Sequence, residues 1–329
     1  HHIAPAKQAG MVIIAPASAD VIGKCANGIA DDMLTSTILA CQCPVYFAPA
    51  MNDRMYVNSI VQENMEKLRR HGWHQIDPVS GHLACGTDGL GKMPDPKALY
   101  QYVRRELAFP HDLAGMKVLV TAGATQEAID PVRYITNHSS GRMGYAVAEA
   151  AMLRGAEVTL VSGQTALAPP PFVERVPVVS AEDMFREVTA RAPGMDFVIK
   201  AAAVADYTPE ETADHKIKKA DGEMAIRLRR TKDILAFLGE HKPAGQLLCG
   251  FSMETENLIE NSRGKLFRKN LDMIAANSLK TPGAGFQGET NVLTLITRDA
   301  EIPLPLMSKF EAAGKLLDTL LAMRKERND

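Results

Sequence analysis

The chain has 329 residues, enough for about two domains of ordinary size, and its 46% apolar content can fill two cores. Lys and Arg number 37 against 39 Asp and Glu, a net charge of −2, and aromatics make up only 5% with a single Trp, so neither the basic footprint nor the stacking surface of a nucleic-acid binder is present. Apolar runs fall short of the ~18–20 residues of a membrane span, no signal-peptide layout is visible, and five scattered cysteines (Cys25, Cys41, Cys43, Cys85, Cys249) fit reduced thiols better than a disulfide framework or a zinc site. These features predict a soluble, cytoplasmic protein whose partners are small molecules.

In chain order, apolar runs of strand length alternate with segments of helical period, the pattern of α/β architecture with a parallel sheet. Residues 11–15 and 45–48 read as strands, with a weaker third near Ile76. Residues 31–40 read as a helix with acidic residues in its first turn. Residues 52–70 read as one further helix, with Met55, Ile60, Met65 and Leu68 at roughly helical spacing. The Gly- and Pro-rich segment 85–96 reads as a loop, and 97–107 as a short helix. Residues 109–115 have linker character, which predicts domains at 1–111 and 112–329. Beyond the linker, strands are expected at 117–121, 157–161, 196–202, 225–229, 247–251, 273–276 and 292–297. Helices are expected at 143–154, 181–191, 232–240, 258–268 and 309–324. This alternation predicts a doubly wound sheet of the Rossmann kind, with its ligand beyond the carboxyl ends of the strands.

Several motifs sit at those ends. Thr121-Ala122-Gly123-Ala124-Thr125 follows the first strand of the second domain, where a glycine lets backbone approach a ligand, although a tight turn explains the same residues. Asn137-His138-Ser139-Ser140-Gly141-Arg142 leads into a helix whose positive end suits phosphate or carboxylate; an ordinary serine cap is the alternative. Ala201-Ala202-Ala203-Val204-Ala205-Asp206 ends a strand with small residues and one acid, which can hold a divalent metal beside phosphates or simply cap the loop. Lys216, Lys218 and Lys219, with Lys265, Arg268 and Lys269, add positive charge that alone means a solvated face. Together, one carboxylate, several lysines and a Ser/Gly helix start at the loop ends of one sheet point to a nucleoside triphosphate.

Residues 121–141, 201–207 and 216–219 resemble the ligase half of the bacterial bifunctional coenzyme A biosynthesis family, phosphopantothenoylcysteine decarboxylase/phosphopantothenate-cysteine ligase. Ala15-Pro16-Ala17-Ser18-Ala19-Asp20, Pro49-Ala50-Met51-Asn52 and Ala84-Cys85-Gly86 resemble its flavin-dependent decarboxylase half. The resemblance implies a partial flavoprotein-like decarboxylase domain followed by a Rossmann-like doubly wound ligase domain. For the ligase it implies CTP activating 4'-phosphopantothenate as an acyl-cytidylate, from which the cysteine amine displaces CMP. By the same resemblance, Lys200, Ala201 and Ala202 line the base, and Asp206 lies near Mg²⁺ and the phosphates. Lys216, Lys265 and Lys269 are the matching basic positions. Lys232, Asp233, Ile234, Leu235 and Phe251 match further nucleotide contacts, although Lys232 stands where the family pattern has Pro. Asn137 holds the intermediate and Arg133 reaches the pantothenate side, across the interface of a ligase dimer.

For the decarboxylase, the resemblance implies FMN-dependent oxidation, loss of CO₂ to an enethiol and reduction. Cys85 matches the residue that protonates the intermediate, Asn52 a substrate-binding Asn (or a helix N-cap), and His2 the active-site His. The family's first strand and its Gly/Ser turn for flavin phosphate are expected before His2, so the resemblance implies an N-terminally truncated decarboxylase half. Two other readings compete. A nicotinamide-dependent reductase needs G-x-G-x-x-G and an acid about 20 residues on, and neither stands after residue 121. A non-catalytic flavoprotein-like binding subunit leaves the lysines and Asp206 of the second domain unexplained.

Overall fold

The computed structural model describes residues 3–82, 86, 88–219, 224–254, 256–278 and 288–328. His2 and Cys85 therefore lie outside the described residues. The chain divides into two compact units, His1–Phe109 and Pro110–Asp329.

The first unit runs α1 (Ile3–Gln8), β1 (Val12–Ala17), α2 (Ala19–Ala26), α3 (Met33–Ala40), β2 (Val45–Pro49), α4 (Asp53–Tyr56), α5 (Ser59–Arg70), β3 (His74–Gln75), β4 (Val79–His82), β5 (Asp88–Lys92) and α6 (Pro96–Leu107). β1, β2 and β3 form a three-stranded parallel sheet, packed through Ile14, Ile22, Phe47, Met65 and Leu68. Helix starts follow their capping residues. Ser18 accepts from the Val21 amide at 3.3 Å, and Asp32 forms a reciprocal capping box with Thr35.

Two expectations for this unit change. The helix over 52–70 is two helices, because Asn58 accepts from the Ile60 amide and starts α5 afresh after α4. The loop over 85–96 contains a strand, β5, paired antiparallel with β4. Its glycines serve close approach: at Gly91 (φ +149°) a Cβ would stand 2.3 Å from the Met51 carbonyl oxygen.

The second unit runs β6 (Lys117–Ala122), β7 (Glu127–Ala128), β8 (Tyr134–Ile135), α7 (Arg142–Leu153), β9 (Glu157–Ser162), β10 (Glu174–Pro177), α8 (Ala181–Arg191), β11 (Phe197–Lys200), β12 (Tyr207–Pro209), β13 (Leu228–Arg230), α9 (Ile234–Glu240), β14 (Leu247–Glu254), α10 (Leu258–Arg268), β15 (Met273–Ser278), β16 (Thr290–Asn291), β17 (Leu293–Thr297), β18 (Glu301–Pro303), β19 (Met307–Ser308) and α11 (Lys309–Asn328). Eight strands form one sheet in the order β10-β9-β6-β11-β14-β15-β17-β18. The chain leaves β6 toward one edge and returns to β11 on the other side of β6, which puts the topological switch between β6 and β11.

Strand alternation feeds two cores. Val118, Val120, Phe197 and Ile199 pack with α7 and α11, while Leu119 and Val198 pack with α8, α9 and α10. The start of α7 lies directly on β6, since a Cβ on Gly144 would stand 2.6 Å from that of Ala122 and 2.7 Å from the Thr121 carbonyl oxygen.

The sheet is not wholly parallel: β17 and β18 add an antiparallel edge. β13 leaves the main sheet, contrary to the strand expected at 225–229, and pairs antiparallel with β12 in a separate ribbon. Among the described residues, no helix is long and apolar enough to cross a membrane.

Candidate active site

The carboxyl ends of β6 and β11 are zipped together by small polar side chains. Thr121, fully buried, accepts from the Ala202 amide at 3.0 Å, and Thr125 accepts from the Ala205 amide at 3.0 Å. Asn137 Nδ2 donates to the Ala203 carbonyl at 2.8 Å, while its Oδ1 accepts from the Ser139 amide at 3.0 Å. The two threonines of the first motif thus brace the Ala201–Ala205 stretch, and Asn137 joins that stretch to the start of α7.

On one side of the stretch lies a polar cleft of about 360 Å³, lined by Lys200, Val204, Ala205, Asp206, Lys232, Asp233 and Lys269, among others. Lys269 Nζ stands 2.7 Å from Asp233 Oδ2. Burial opposes ionisation of Asp233, yet Lys269 and the Ala236 amide hold its carboxyl below the ordinary range. Lys200 shifts the other way: burial, then the Lys269 charge, push its ammonium down to about 8. The Asp206 side chain is exposed and has no hydrogen-bond partner among the described residues. A free carboxylate amid three lysines fits Mg²⁺, which typically takes one or two carboxylates and completes its shell with water and substrate phosphates.

On the other side lies a cavity of about 170 Å³ lined by Ser139 to Gly144, Ala201 to Ala203, Phe251, Asn277, Asn291 and Lys309, among others. Gly141, in the left-handed region at φ +78°, precedes the first turn of α7. Asn277 is 5% exposed and its Oδ1 has no hydrogen-bond partner among the described residues. Lys309 is 6% exposed and reaches the Gly288 carbonyl at 2.6 Å. Burial, then Arg142, push its ammonium down. Sequence reading did not single out Asn277, Asn291 or Lys309, because a lone amide or lysine far along the chain carries no local signal of the cavity it lines.

The residues expected to form the site therefore divide. Lys200, Asp206, Lys232, Asp233, Ile234 and Lys269 share the cleft, and Ala201, Ala202 and Phe251 share the cavity. The Ile234 and Leu235 side chains pack in the core, so only their backbone can meet a ligand. Lys232 Nζ is drawn to Glu182 Oε1 at 2.7 Å and lies over the Phe185 ring. Lys265 lines neither space and pairs with Glu254 at 2.5 Å. Lys216 also lines neither; it stands on an exposed segment fastened to the turn at Asp130 and Arg133.

In the first unit, Asn52 caps α4, accepting from the Arg54 amide at 3.0 Å, at the carboxyl end of β2. There the Ala50 amide donates to the Ala17 carbonyl at 3.0 Å, and small residues from β1 and β2 meet. Small side chains at these strand ends, Ala15, Ala17, Ala48 and Ala50, leave room beside the backbone for a bound group. His2 and Cys85 lie outside the described residues.

Two family models match the chain: Flavoprotein over residues 1–108, and the DNA/pantothenate metabolism flavoprotein C-terminal domain over residues 113–323. The chain is 46% identical over 332 residues to the coenzyme A biosynthesis bifunctional protein CoaBC of Bacillus subtilis, covering all of this chain and 82% of that one. It is 45% identical over 322 residues to a cysteine/cysteine sulfinic acid decarboxylase from an unknown prokaryotic organism, covering 95% of this chain and 89% of that one. The crystal structure of the C-terminal domain of a coenzyme A biosynthesis bifunctional protein CoaBC superposes with a TM-score of 0.57 at 45% identity, covering 66% of this chain and 99% of that one.

Proposed function

The chain belongs to the coenzyme A biosynthesis bifunctional family, and from that premise we propose how its residues divide the work. It is an enzyme of coenzyme A biosynthesis with a phosphopantothenoylcysteine decarboxylase half, which is a flavoprotein domain, and a phosphopantothenate-cysteine ligase half.

In the ligase half, a carboxylate oxygen of 4'-phosphopantothenate attacks the α-phosphorus of CTP and pyrophosphate leaves. The cysteine amine then attacks the acyl carbon, an amide bond forms and CMP leaves. The gathering of Lys200, Lys269 and Asp206 in one cleft at the end of β11 carries this reading. Lys200 and Lys269 offset the triphosphate charge and the charge that develops on pyrophosphate; Lys216 and Lys265, which line neither space in the free protein, join the basic set as the bound triphosphate extends toward them. Asp206 holds Mg²⁺, which when bound supplies further neutralisation of the phosphates. Ala201, Ala202, Phe251 and the backbone of residues 232–235 bound the nucleotide. Asn137, fixed on the Ala203 carbonyl, holds the acyl-cytidylate, and Arg133 faces the pantothenate side in a ligase dimer.

In the first half, FMN supplies the redox chemistry of decarboxylation when bound. Asn52 orients the substrate, and His2 and Cys85 complete the site, Cys85 as the proton donor. The free Cys25, Cys41, Cys43 and Cys249 agree with a reducing cytoplasm as the place of action.

The test is release of CMP and pyrophosphate from purified protein given 4'-phosphopantothenate, cysteine, Mg²⁺ and either CTP or ATP. Release that depends on both CTP and phosphopantothenate is expected. Release with ATP alone would overturn the CTP assignment, and release without phosphopantothenate would overturn the acyl-cytidylate. A parallel assay of CO₂ from 4'-phosphopantothenoylcysteine and from free cysteine tests the first half, with the former as the expected substrate.

A further inference from the structure

Asp130 is 2% exposed but belongs to none of the apolar clusters. Its carboxylate accepts five hydrogen bonds. Oδ1 takes the amides of Val132 at 2.8 Å and Arg133 at 2.9 Å. Oδ2 takes Arg133 Nε at 3.0 Å, Arg133 Nη2, and the Ile217 amide at 3.1 Å. Arg133 Nη2 also donates to the Ile217 carbonyl at 2.9 Å, so residue 217 is held at both its N–H and its C=O. The fastening continues upstream, with the Ala213 amide on the Ile129 carbonyl at 3.0 Å and Thr212 Oγ1 on the Ala128 carbonyl at 3.2 Å.

Burying a carboxylate is unfavourable unless its hydrogen bonds offset the lost hydration. Here all of those bonds go to residues 132, 133 and 217, and none to the sheet. Two of the residues so placed are Arg133 itself and Ile217, the immediate neighbour of Lys216, and Arg133 and Lys216 are both cations assigned to the ligase. Nε and Nη2 of Arg133 are taken by these contacts, which leaves Nη1 without a partner among the described residues.

We infer that Asp130 is a positioning residue for the ligase reaction: it fixes the point from which Lys216 extends and the direction of the Arg133 guanidinium. This rests on the assignment of Lys216 to the triphosphate made above. One buried acid thereby sets two cations that stand 83 positions apart in the sequence, Arg133 and Lys216.

Asp130→Asn tests it selectively. The amide oxygen can still accept from Val132 and Arg133, but the new NH₂ faces the Ile217 N–H and the guanidinium, donors against donors. Ile217→Pro removes the same N–H from the loop side, at a half-buried residue outside the apolar clusters. Each change is expected to lower ligase kcat/KM for CTP about 10- to 100-fold, the scale of a small misplacement of a reacting group. Both should also speed tryptic cleavage after Lys218, a site left open in both variants, whereas in Ile217→Pro the bond after Lys216 resists trypsin.

The deciding measurement is a double-mutant cycle. Lys216→Ala alone is expected to cost about 10²- to 10³-fold. In a background that lacks both cations (Arg133→Ala with Lys216→Ala), Asp130→Asn and Ile217→Pro should change kcat/KM by no more than about twofold, because coupled residues are not additive. If Lys216→Ala leaves turnover unchanged, the Lys216 assignment falls and this inference falls with it. If Lys216→Ala is damaging but the other two changes are silent or fully additive, Asp130 is structural only and the Lys216 assignment stands.

Discussion

In the second unit, β6, β11, β14 and β15 lie side by side and parallel, and their carboxyl ends bring Thr121, Lys200, Phe251 and Asn277 to one edge of the sheet. In the first unit, among the described residues, β1, β2 and β3 form one parallel sheet, and Asn52 is presented by a turn that the β4–β5 ribbon supports from outside that sheet. A wide parallel sheet buried on both faces sets the register of many strand ends at once. At Asn52 a hairpin helps to set the position, through contacts such as that of the Met51 amide with the Gly91 carbonyl at 3.0 Å. The second site is therefore sensitive to charge in its cleft, and the first to backbone shape at its turn.

The sharpest way to break this comparison is Lys269→Ala. It removes the partner of Asp233 and one of the cleft cations proposed to offset the triphosphate. Ligase kcat/KM is expected to fall about 10²- to 10³-fold, the cost of losing one preorganised charge-stabilising group. CO₂ release by the first unit, measured on the same preparation, should not change; an equal fall in both activities would show that the units do not act separately. Gly91→Ala is the converse. The new Cβ meets the Met51 carbonyl oxygen at 2.3 Å on a backbone already at φ +149°, a strain of about 1–3 kcal/mol. Flavin retention and decarboxylation should drop while ligase turnover stays level.

The same contrast explains what was legible in the sequence. Strands buried on both faces announce themselves as apolar runs, so 117–121, 157–161 and 247–251 fall inside β6, β9 and β14. The motif at their ends follows, and with it Lys200, Asp206 and Lys269. Residues 88–92 read as loop because Gly89 and Gly91 weaken strand propensity, and the reason for those glycines, close approach to Asp53 and Met51, exists only in three dimensions. Asn277 and Lys309 were illegible for a similar reason. They reach the cavity from β15 and the start of α11, far from any motif. The Arg133 side chain reads as a ligand contact in sequence, yet two of its nitrogens serve Asp130 and Ile217.

Lys200 gives a smaller and graded effect. Its ammonium is pushed down to about 8 from 10.5, so its charge is lost as pH rises through about 8. Ligase kcat/KM for CTP should decline above that pH by up to about tenfold per unit, reporting the free enzyme's group. The stability effect has the opposite sign. Between about 8 and 10.5 the unfolded chain holds the extra proton, so this group's contribution to stability grows as pH rises through that window. Lys200→Met should flatten both dependences. A decline that survives in Lys200→Met would assign it to another group.

The smallest effect is expected at Lys232, although it lines the same cleft as Lys200 and Lys269. Its ammonium is 2.7 Å from Glu182 Oε1 and 4.8 Å from the centre of the Phe185 ring, and both members of the ion pair are more than half exposed. Exposed pairs of this kind contribute only about 0–1 kcal/mol. Lys232→Ala should therefore shift the second unit's stability by no more than about 1 kcal/mol. It should also leave ligase kcat/KM within about threefold, the equivalent of less than ~0.7 kcal/mol. Charge in the cleft matters where it is desolvated, as at Lys200, or carried by a lysine that is itself largely covered, as at Lys269, whose side chain is 27% exposed. A loss at Lys232 as large as that at Lys269 would mean that nucleotide binding pulls this lysine off Glu182. The cleft would then be reorganised by its substrate rather than preformed by the sheet.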